Sequence, residues 1–354
     1  MSLFVPVTET RVLTFGNATS TGAVASYSGN PVRLVIPRQS RRLERIVLEC
    51  AVTIATPTST ASRDAIEGLL KEIRFKVSDK GGSQRPVIQS GAPSLLSYHK
   101  RVVGNLGRST AAAFGSKAAG SYTLFIPLHF RNPSMSETFG HRTSIPLDAK
   151  FIGQDPVLEI DIGALADIGL SAGTFNITSL KAHLKFREVP DSIAYVPTEL
   201  ISNEVTWPSG GGQASYDFPA NGWLAGFLLE NFTGATFRGE ILNAAGAWKL
   251  KYGRAELQEF SMAERIEEDG WWAKDYPSDV GAVSIKNDLH QTFINLWHDS
   301  LLGDAVSAGS CLNLYNDNSG DRAQLVGTSL VASATSRITN YKILTNDPTV
   351  LFGA

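Results

Sequence analysis

Apolar and polar residues alternate with a period of two in several stretches of this chain, and each such stretch predicts a strand with one buried face. Between Leu43 and Ala55, Ile46, Leu48, Cys50, Val52 and Ile54 share one face while Glu49 and Thr53 lie on the other. Ile73, Phe75 and Val77 alternate with Arg74 and Lys76; Leu158, Ile160 and Ile162 alternate with Glu159 and Asp161. Leu180, Ala182, Leu184 and Phe186 face away from Lys181, His183, Lys185 and Arg187. The run YTLFIPLHF, Tyr122 to Phe130, predicts a buried strand, and DKGG, Asp79 to Gly82, a turn into a strand around Val87 and Ile88. Two short helices interrupt the strands. One is predicted over Ser62 to Lys71 with Ser62 as its cap. The other begins at Ala92, with Pro93 in its first turn and Gly104 just past its end.

The second half repeats this plan. GWLAGFLLENF (Gly222 to Phe232) and GEILNAAGAWKLKYG (Gly239 to Gly253) predict strands and a hairpin, and SRITNYKIL (Ser336 to Leu344) a closing strand. Phe75 to Ile88 followed by Pro93 to Val102 matches Glu240 to Gly253 followed by Ser261 to Gly270 in the order strand, turn, strand, short helix. Val283 to Trp297 stays open between helix, which Leu289, Phe293 and Leu296 fit, and strand. An all-β chain with a few short helices follows, built as two β-rich domains of one design. They are expected over residues 36–190 and 201–346, joined by a Pro-containing linker at 191–200 and followed by a tail at 347–354. Residues 1–35 lack a periodic apolar face and are expected to form an arm outside either core.

Composition narrows the class. With 43% hydrophobic and 19% charged residues, a chain of 354 residues buries a sizeable core without disulfides or metals. Its 32 glycines suit strands joined by loops. A net charge of −2 makes no bulk demand for nucleic acid. Cys50 and Cys311, one in each half, form no metal spacing and read as reduced buried thiols. The opening residues lack the basic and apolar regions of a secretory signal, and no apolar run reaches the roughly 20 residues that span a bilayer. Folding in a cytoplasm is the expectation.

Candidate chemistry concentrates in Ser261 to Gly281, where Glu264, Glu267 and Glu268 precede Trp271 and Trp272. Carboxylates beside tandem aromatics suggest a sugar-cleaving groove. A glycosidase, however, needs carboxylates on opposing sides of the bond it cuts, whereas residues three and four apart share one helix face. A solvated helix start, with Ser261 and Glu264 as a capping box, explains them more simply. His99, His129, His141, His183, His290 and His298 fall in no metal spacing and beside no nucleophile motif. Ser209 to Gln213 is glycine-rich without the Lys-Ser or Lys-Thr of a phosphate loop. No catalytic, cofactor-binding or metal-binding residue is assigned. Arg38, Arg41, Arg42 and Arg45 lie close together, either as a solvated lead-in to a strand or as an inner-face contact for anionic lipid or nucleic acid.

A duplicated β-rich chain of this size without chemistry points to an architectural protein. Leu124 to Gly163, with its Ser136-Glu137-Thr138 loop, and Met262 to Gly281, with Asp275-Tyr276-Pro277 ending the helix, resemble the double jelly-roll major capsid proteins of tailless icosahedral phages with an internal membrane. That lineage is shared with adenovirus hexon. The resemblance implies two tandem jelly rolls, Leu180 to Val189 and Arg337 to Leu344 being their last strands. It also implies a homotrimer of pseudo-hexagonal outline that tiles an icosahedral shell around membrane and genome. No enzyme activity, cofactor or sequence-specific nucleic acid is implied. The implied partners are further copies of the chain, minor capsid or penton proteins and inner-membrane lipid; the implied location is the virion, after assembly in the host cytoplasm. The N-terminus departs from the pattern, lacking the long polar helix of some members. The rival readings are a carbohydrate-active or carbohydrate-binding β-sandwich, with Trp207, Trp223, Trp271 and Trp272 lining a groove, and a phage tail or spike part.

If the acidic trio is only a solvated helix face, replacing Glu264, Glu267 and Glu268 together leaves folding and assembly nearly intact, at under about 0.5 kcal/mol per substitution. Denaturant titration reads this directly. Glycosidase activity that co-purifies with the chain and vanishes in the triple variant contradicts it.

Overall fold

The computed structural model describes residues 8–15, 18–21, 24–27, 31–59, 66–103, 119–130, 142–189, 193–206, 213–233, 248–261, 291–294, 296, 311–315, 321–328 and 334–345. The chain divides into two compact units, the first made largely of residues up to Thr198 and the second largely of those from Glu199 on. In the first unit the strands are β1 (Thr8–Thr14), β2 (Ala18–Thr21), β3 (Val24–Tyr27), β4 (Val32–Val35), β5 (Arg42–Ser59), β6 (Leu70–Ser78), β7 (Gln84–Ser90), β8 (Gly120–His129), β9 (Ile145–Pro146), β10 (Val157–Ile162) and β11 (Leu170–Arg187). One helix, α1 (Ala92–Val103), follows β7.

Two sheets organise that unit. One runs β1-β11-β5-β8 and the other β4-β10-β6-β7, with the β2–β3 hairpin and the short β9 attached to the first. The alternation read from the sequence sets which side faces inward. Ile46, Leu48, Cys50, Val52 and Ile54 of β5 are each at most 1% exposed, as are Leu180, Ala182 and Leu184 opposite them on β11. Ile73 and Phe75 of β6, and Leu158 and Ile160 of β10, supply the facing layer. Each large apolar side chain so buried contributes about 1.5–3 kcal/mol. A shift of one residue in register would send the whole row to solvent. The β6–β7 connection is closed by the Gly82 amide donating to Asp79 O at 3.1 Å, and Gly82 takes the positive φ of 88° that the turn requires.

The second unit contains β12 (Thr198–Thr206), β13 (Gln213–Asp217), β14 (Trp223–Thr233), β15 (Trp248–Tyr252), β16 (Ala255–Phe260), β17 (Gln291–Ile294), β18 (Leu312–Asn313), β19 (Ala323–Thr328) and β20 (Ala334–Ile343). Its sheets run β12-β20-β14-β17 and β13-β19-β15-β16, with β18 added beside β14. Phe227 and Leu229 from β14, Ile338 from β20, and Trp248, Leu250, Phe260 and Leu325 from the other sheet form one apolar cluster. If the eight main strands of each unit are counted in chain order, one sheet reads first, eighth, third, sixth and the other second, seventh, fourth, fifth. Both units give the same answer. Eight antiparallel strands in two sheets with this order make a jelly roll.

The structure corrects several expectations. The arm is the largest. Within residues 1–35, β1 is the first strand of the first roll and lies antiparallel to β11, from Thr8 opposite Arg187 to Thr14 opposite Lys181. Phe15 is 2% exposed, and its amide donates to Leu180 O at 3.1 Å. Val32, 4% exposed, opens β4, which pairs with β10. An edge strand needs few apolar residues, because only part of one face meets the core. Hence Val12 at 51% exposure carries no burial signal. Of the helix expected over Ser62 to Lys71, the described residues show a 3-10 turn, Ile66–Leu69, with Leu70 and Lys71 already in β6; Ser62 to Ala65 lie outside the described residues. The linker expected at 191–200 ends early, since Thr198 begins β12. Trp248–Tyr252 is strand as expected and pairs with β16 through a turn at Gly253; Gly239 to Ala247, the first part of the expected hairpin, lie outside the described residues. In the ambiguous segment, Gln291–Ile294 is strand, paired with β14. The tail at 347–354 and the acidic stretch from Met262 to Gly281 lie outside the described residues.

Because β1 completes the first roll, deleting residues 1–15 is expected to leave an insoluble or protease-sensitive chain. Limited proteolysis and circular dichroism measure this. A truncated protein that stays folded and soluble contradicts the assignment of β1 to the core.

Candidate functional site

The four arginines singled out by the sequence do not present one cationic face. Arg38 precedes β5 and donates to Asp155 Oδ1 at 2.9 Å and to Gly153 O at 3.2 Å. Arg41 sits between Glu9 and Glu188, the latter at 3.3 Å. Arg42, only 4% exposed, donates to the Ile193 carbonyl. Guanidinium groups engaged this way hold the ends of strands together and are not free to displace counterions from a phosphate surface. Arg45 differs. It projects from the solvent side of β5, exposed, opposite Lys185 on one neighbour and His129 on the other.

A second charged cluster lies on the outer face of the β4-β10-β6 sheet, where the sequence placed a simple polar row. Glu159 is the centre, its side chain 3% exposed. Arg33 reaches it from β4 at 2.5 Å, and Lys76 and Arg74 from β6 at 2.7 Å and 3.4 Å. Arg74 also holds Asp161 at 2.8 Å and Glu72 at 2.6 Å. Burial pushes the Glu159 carboxyl up, but the hydrogen bonds from Lys76 and Arg33 outweigh it and hold the group below the usual carboxylate range. On β5 and β11, Glu49 accepts from His183 at 2.6 Å and Lys181 at 3.2 Å. The His183 bond is the main reason its carboxyl is also depressed. These groups staple neighbouring strands.

Two histidines far apart in the sequence meet. His99, on α1, and His129, at the end of β8, lie with Nδ1 and Nε2 2.7 Å apart and ring planes 1° from parallel. Burial, with smaller contributions from His99 and Arg45, pushes His129 down to about 3, so the ring is neutral in the folded protein. Sequence spacing could not have shown this pair, because α1 and β8 come together only in the folded unit. Cys50 and Cys311 are both free and buried, as expected. Burial pushes the Cys50 thiol up to about 12, which leaves it unreactive at neutral pH.

The rival groove of tryptophans is not assembled by the described residues. Trp223 is partly buried at the start of β14, donates its indole N–H to Thr345 O at 2.8 Å and meets Tyr315 edge-on. Trp207, Trp271 and Trp272, like Glu264, Glu267 and Glu268, lie outside the described residues. Among the described residues no group of three or more metal-ligating side chains converges. No helix among them is long and apolar enough to cross a membrane.

His129 supplies a test of this packing. Its folded pKa lies below that of the unfolded chain, so unfolding takes up a proton between about pH 6.5 and about pH 3. Stability is therefore full above that window and falls with pH inside it, at up to about 1.4 kcal/mol per unit. Glu159 adds to the loss only below the ordinary carboxylate range. Urea unfolding is expected to show lower stability at pH 5 than at pH 7, and His129→Gln to flatten the difference. A difference that persists unchanged in the variant contradicts the assignment.

No family model matches the sequence, and no curated protein does. Solved structures match over nearly the whole chain. The crystal structure of the STIV major capsid protein superposes with a TM-score of 0.64 at 12% identity, covering 99% of this chain and 100% of its own. The PBCV-1 protein VP54, fitted into a reconstruction of the virophage Sputnik, gives 0.59 at 10% identity over 98% of this chain and 97% of its own. The major capsid protein P2 of bacteriophage PM2 gives 0.52 at 12% identity over 96% and 99%. At such identities it is the path of the backbone that is shared, and both rolls take part in it. The chain is a double jelly roll, with the fold of these viral major capsid proteins.

Proposed function

We propose that this chain is a major capsid protein, a structural subunit that works by edge complementarity and not by turnover. The observation that carries the reading is the repeated roll: one chain holds two units of identical strand order. Three such chains supply six similar units, the number that packs hexagonally. A head-to-tail contact between unlike flanks closes into a ring when the rotation fits. The solved neighbours of the same fold, the major capsid proteins of STIV and of bacteriophage PM2, support it. The proposed assembly is a pseudo-hexagonal homotrimer that tiles an icosahedral shell around an internal membrane, in the virion, after folding in the host cytoplasm. Minor capsid or penton proteins are proposed at the shell's special positions. With Arg38, Arg41 and Arg42 engaged within the first unit, the proposed contact with anionic lipid or nucleic acid rests on Arg45.

The trimer is energetically reasonable. Obligate interfaces bury about 2,000 to 5,000 Å² in total, which at about 25 cal/mol per Å² for the apolar share outweighs the cost of association. A charge of −2 per chain adds little repulsion. Purified, unassembled protein is expected to have three times the chain mass by mass photometry and to keep it on dilution into the nanomolar range. A clean monomer at micromolar concentration overturns the trimer.

A further inference from the structure

The second unit buries a lysine against an amide and a carboxylate. Lys342, near the end of β20, is 2% exposed and lies opposite Leu224, a member of that unit's apolar cluster. Its Nζ donates to Asn221 Oδ1 at 2.5 Å and stands 3.0 Å from Glu199 Oε2. The three residues come from different places: β20, the turn before β14, and the start of β12. Glu199 is itself buried, at 7% exposure, whereas Asn221 reaches the surface.

As a plain ion pair this arrangement offers little, since burying both charges costs about as much as their attraction returns. As chemistry it is complete. An amine, an amide and a carboxylate that can shuttle a proton meet in one contact set, on a single folded unit. The amide carbon lies one carbonyl bond, about 1.23 Å, beyond the oxygen that Nζ already touches. That places it near the attack separation of about 3–3.5 Å.

We infer that Lys342 and Asn221 form an intramolecular isopeptide bond, with Glu199 as the proton relay. Glu199 takes a proton from the Lys342 ammonium, and the freed amine adds to Asn221 Cγ, forming one C–N bond. Through Glu199 a proton then passes to Nδ2, the Cγ–Nδ2 bond breaks and ammonia leaves. The second proton shed by Nζ accompanies it, so the charge of the original ammonium departs as ammonium. Nothing is oxidised or reduced, and no co-reactant is needed. Asn221 on the surface gives the ammonia a path to water. The product ties the closing strand to the turn before its neighbour β14. It needs only the folded second unit and is independent of the capsid reading.

Mass spectrometry of the purified, folded full-length chain tests this. The intact mass under denaturing conditions is expected to fall short of the sequence by one ammonia, about 17 Da, the signature of amine–amide condensation. Proteolysis is expected to release a branched peptide joining Lys342 to Asn221. Asn221 precedes Gly222 and could also lose ammonia by closing on its own backbone, so the branched peptide decides the matter. Glu199→Gln, which keeps both reacting groups, and Asn221→Ala, at an exposed position, should each yield no branched peptide. Linear Asn221 and Lys342 peptides from the folded wild-type chain overturn the inference.

Discussion

Each roll depends on the insertion of its last strand between its first and its third. β11 lies between β1 and β5, and β20 between β12 and β14. Until that strand arrives, the sheet is split and the facing sheet has nothing to close against. The pairing is long-range: Thr14 waits for Lys181 and Phe227 for Asn340. Loop-closure entropy is spent before the contacts that offset it form, so a chain of this topology folds slowly, with sheet edges open in the meantime.

The side chains reflect that constraint. On β11 the inward row seals the core, while the outward row, Lys181, His183, Lys185 and Arg187, reaches across to Glu49 and Glu44 on β5. The long pair therefore has one face fixed by burial and the other by charge. Glu159 does the same for the second sheet, holding three strands through one carboxylate. In the second roll the corresponding place near the end of the closing strand is taken by Lys342, with Glu199 and Asn221 upon it. The conserved element of design is the strand order, and the fastening differs between the rolls.

Much of this was legible in the sequence, and the limits have physical reasons. Central strands such as β5, β6 and β11 bury a full face and so write their period into the residues. α1 announced itself through Pro93, placed in its first turn. β1 could not, because an edge strand with Val12 exposed and Thr and Arg around it reads as loop. β16 was hidden for a similar cause: AELQEF has one fully buried residue, Phe260. For the candidate sites, four arginines close in sequence have separate partners in space: Arg38 and Arg41 are in ion pairs, Arg42 is on a carbonyl and Arg45 is exposed. The contacts between His99 and His129 and between Lys342 and Asn221 join residues that no spacing rule connects.

Three chains, each with two like rolls, are proposed to make one six-sided building block. Electron microscopy of the particle this chain comes from tests it most directly. The expected result is an icosahedral shell whose repeating units resolve, around each local threefold, into six roll-sized densities with this chain traceable through two of them. A particle without such a shell, or a shell whose units contain a single roll per chain, would contradict it.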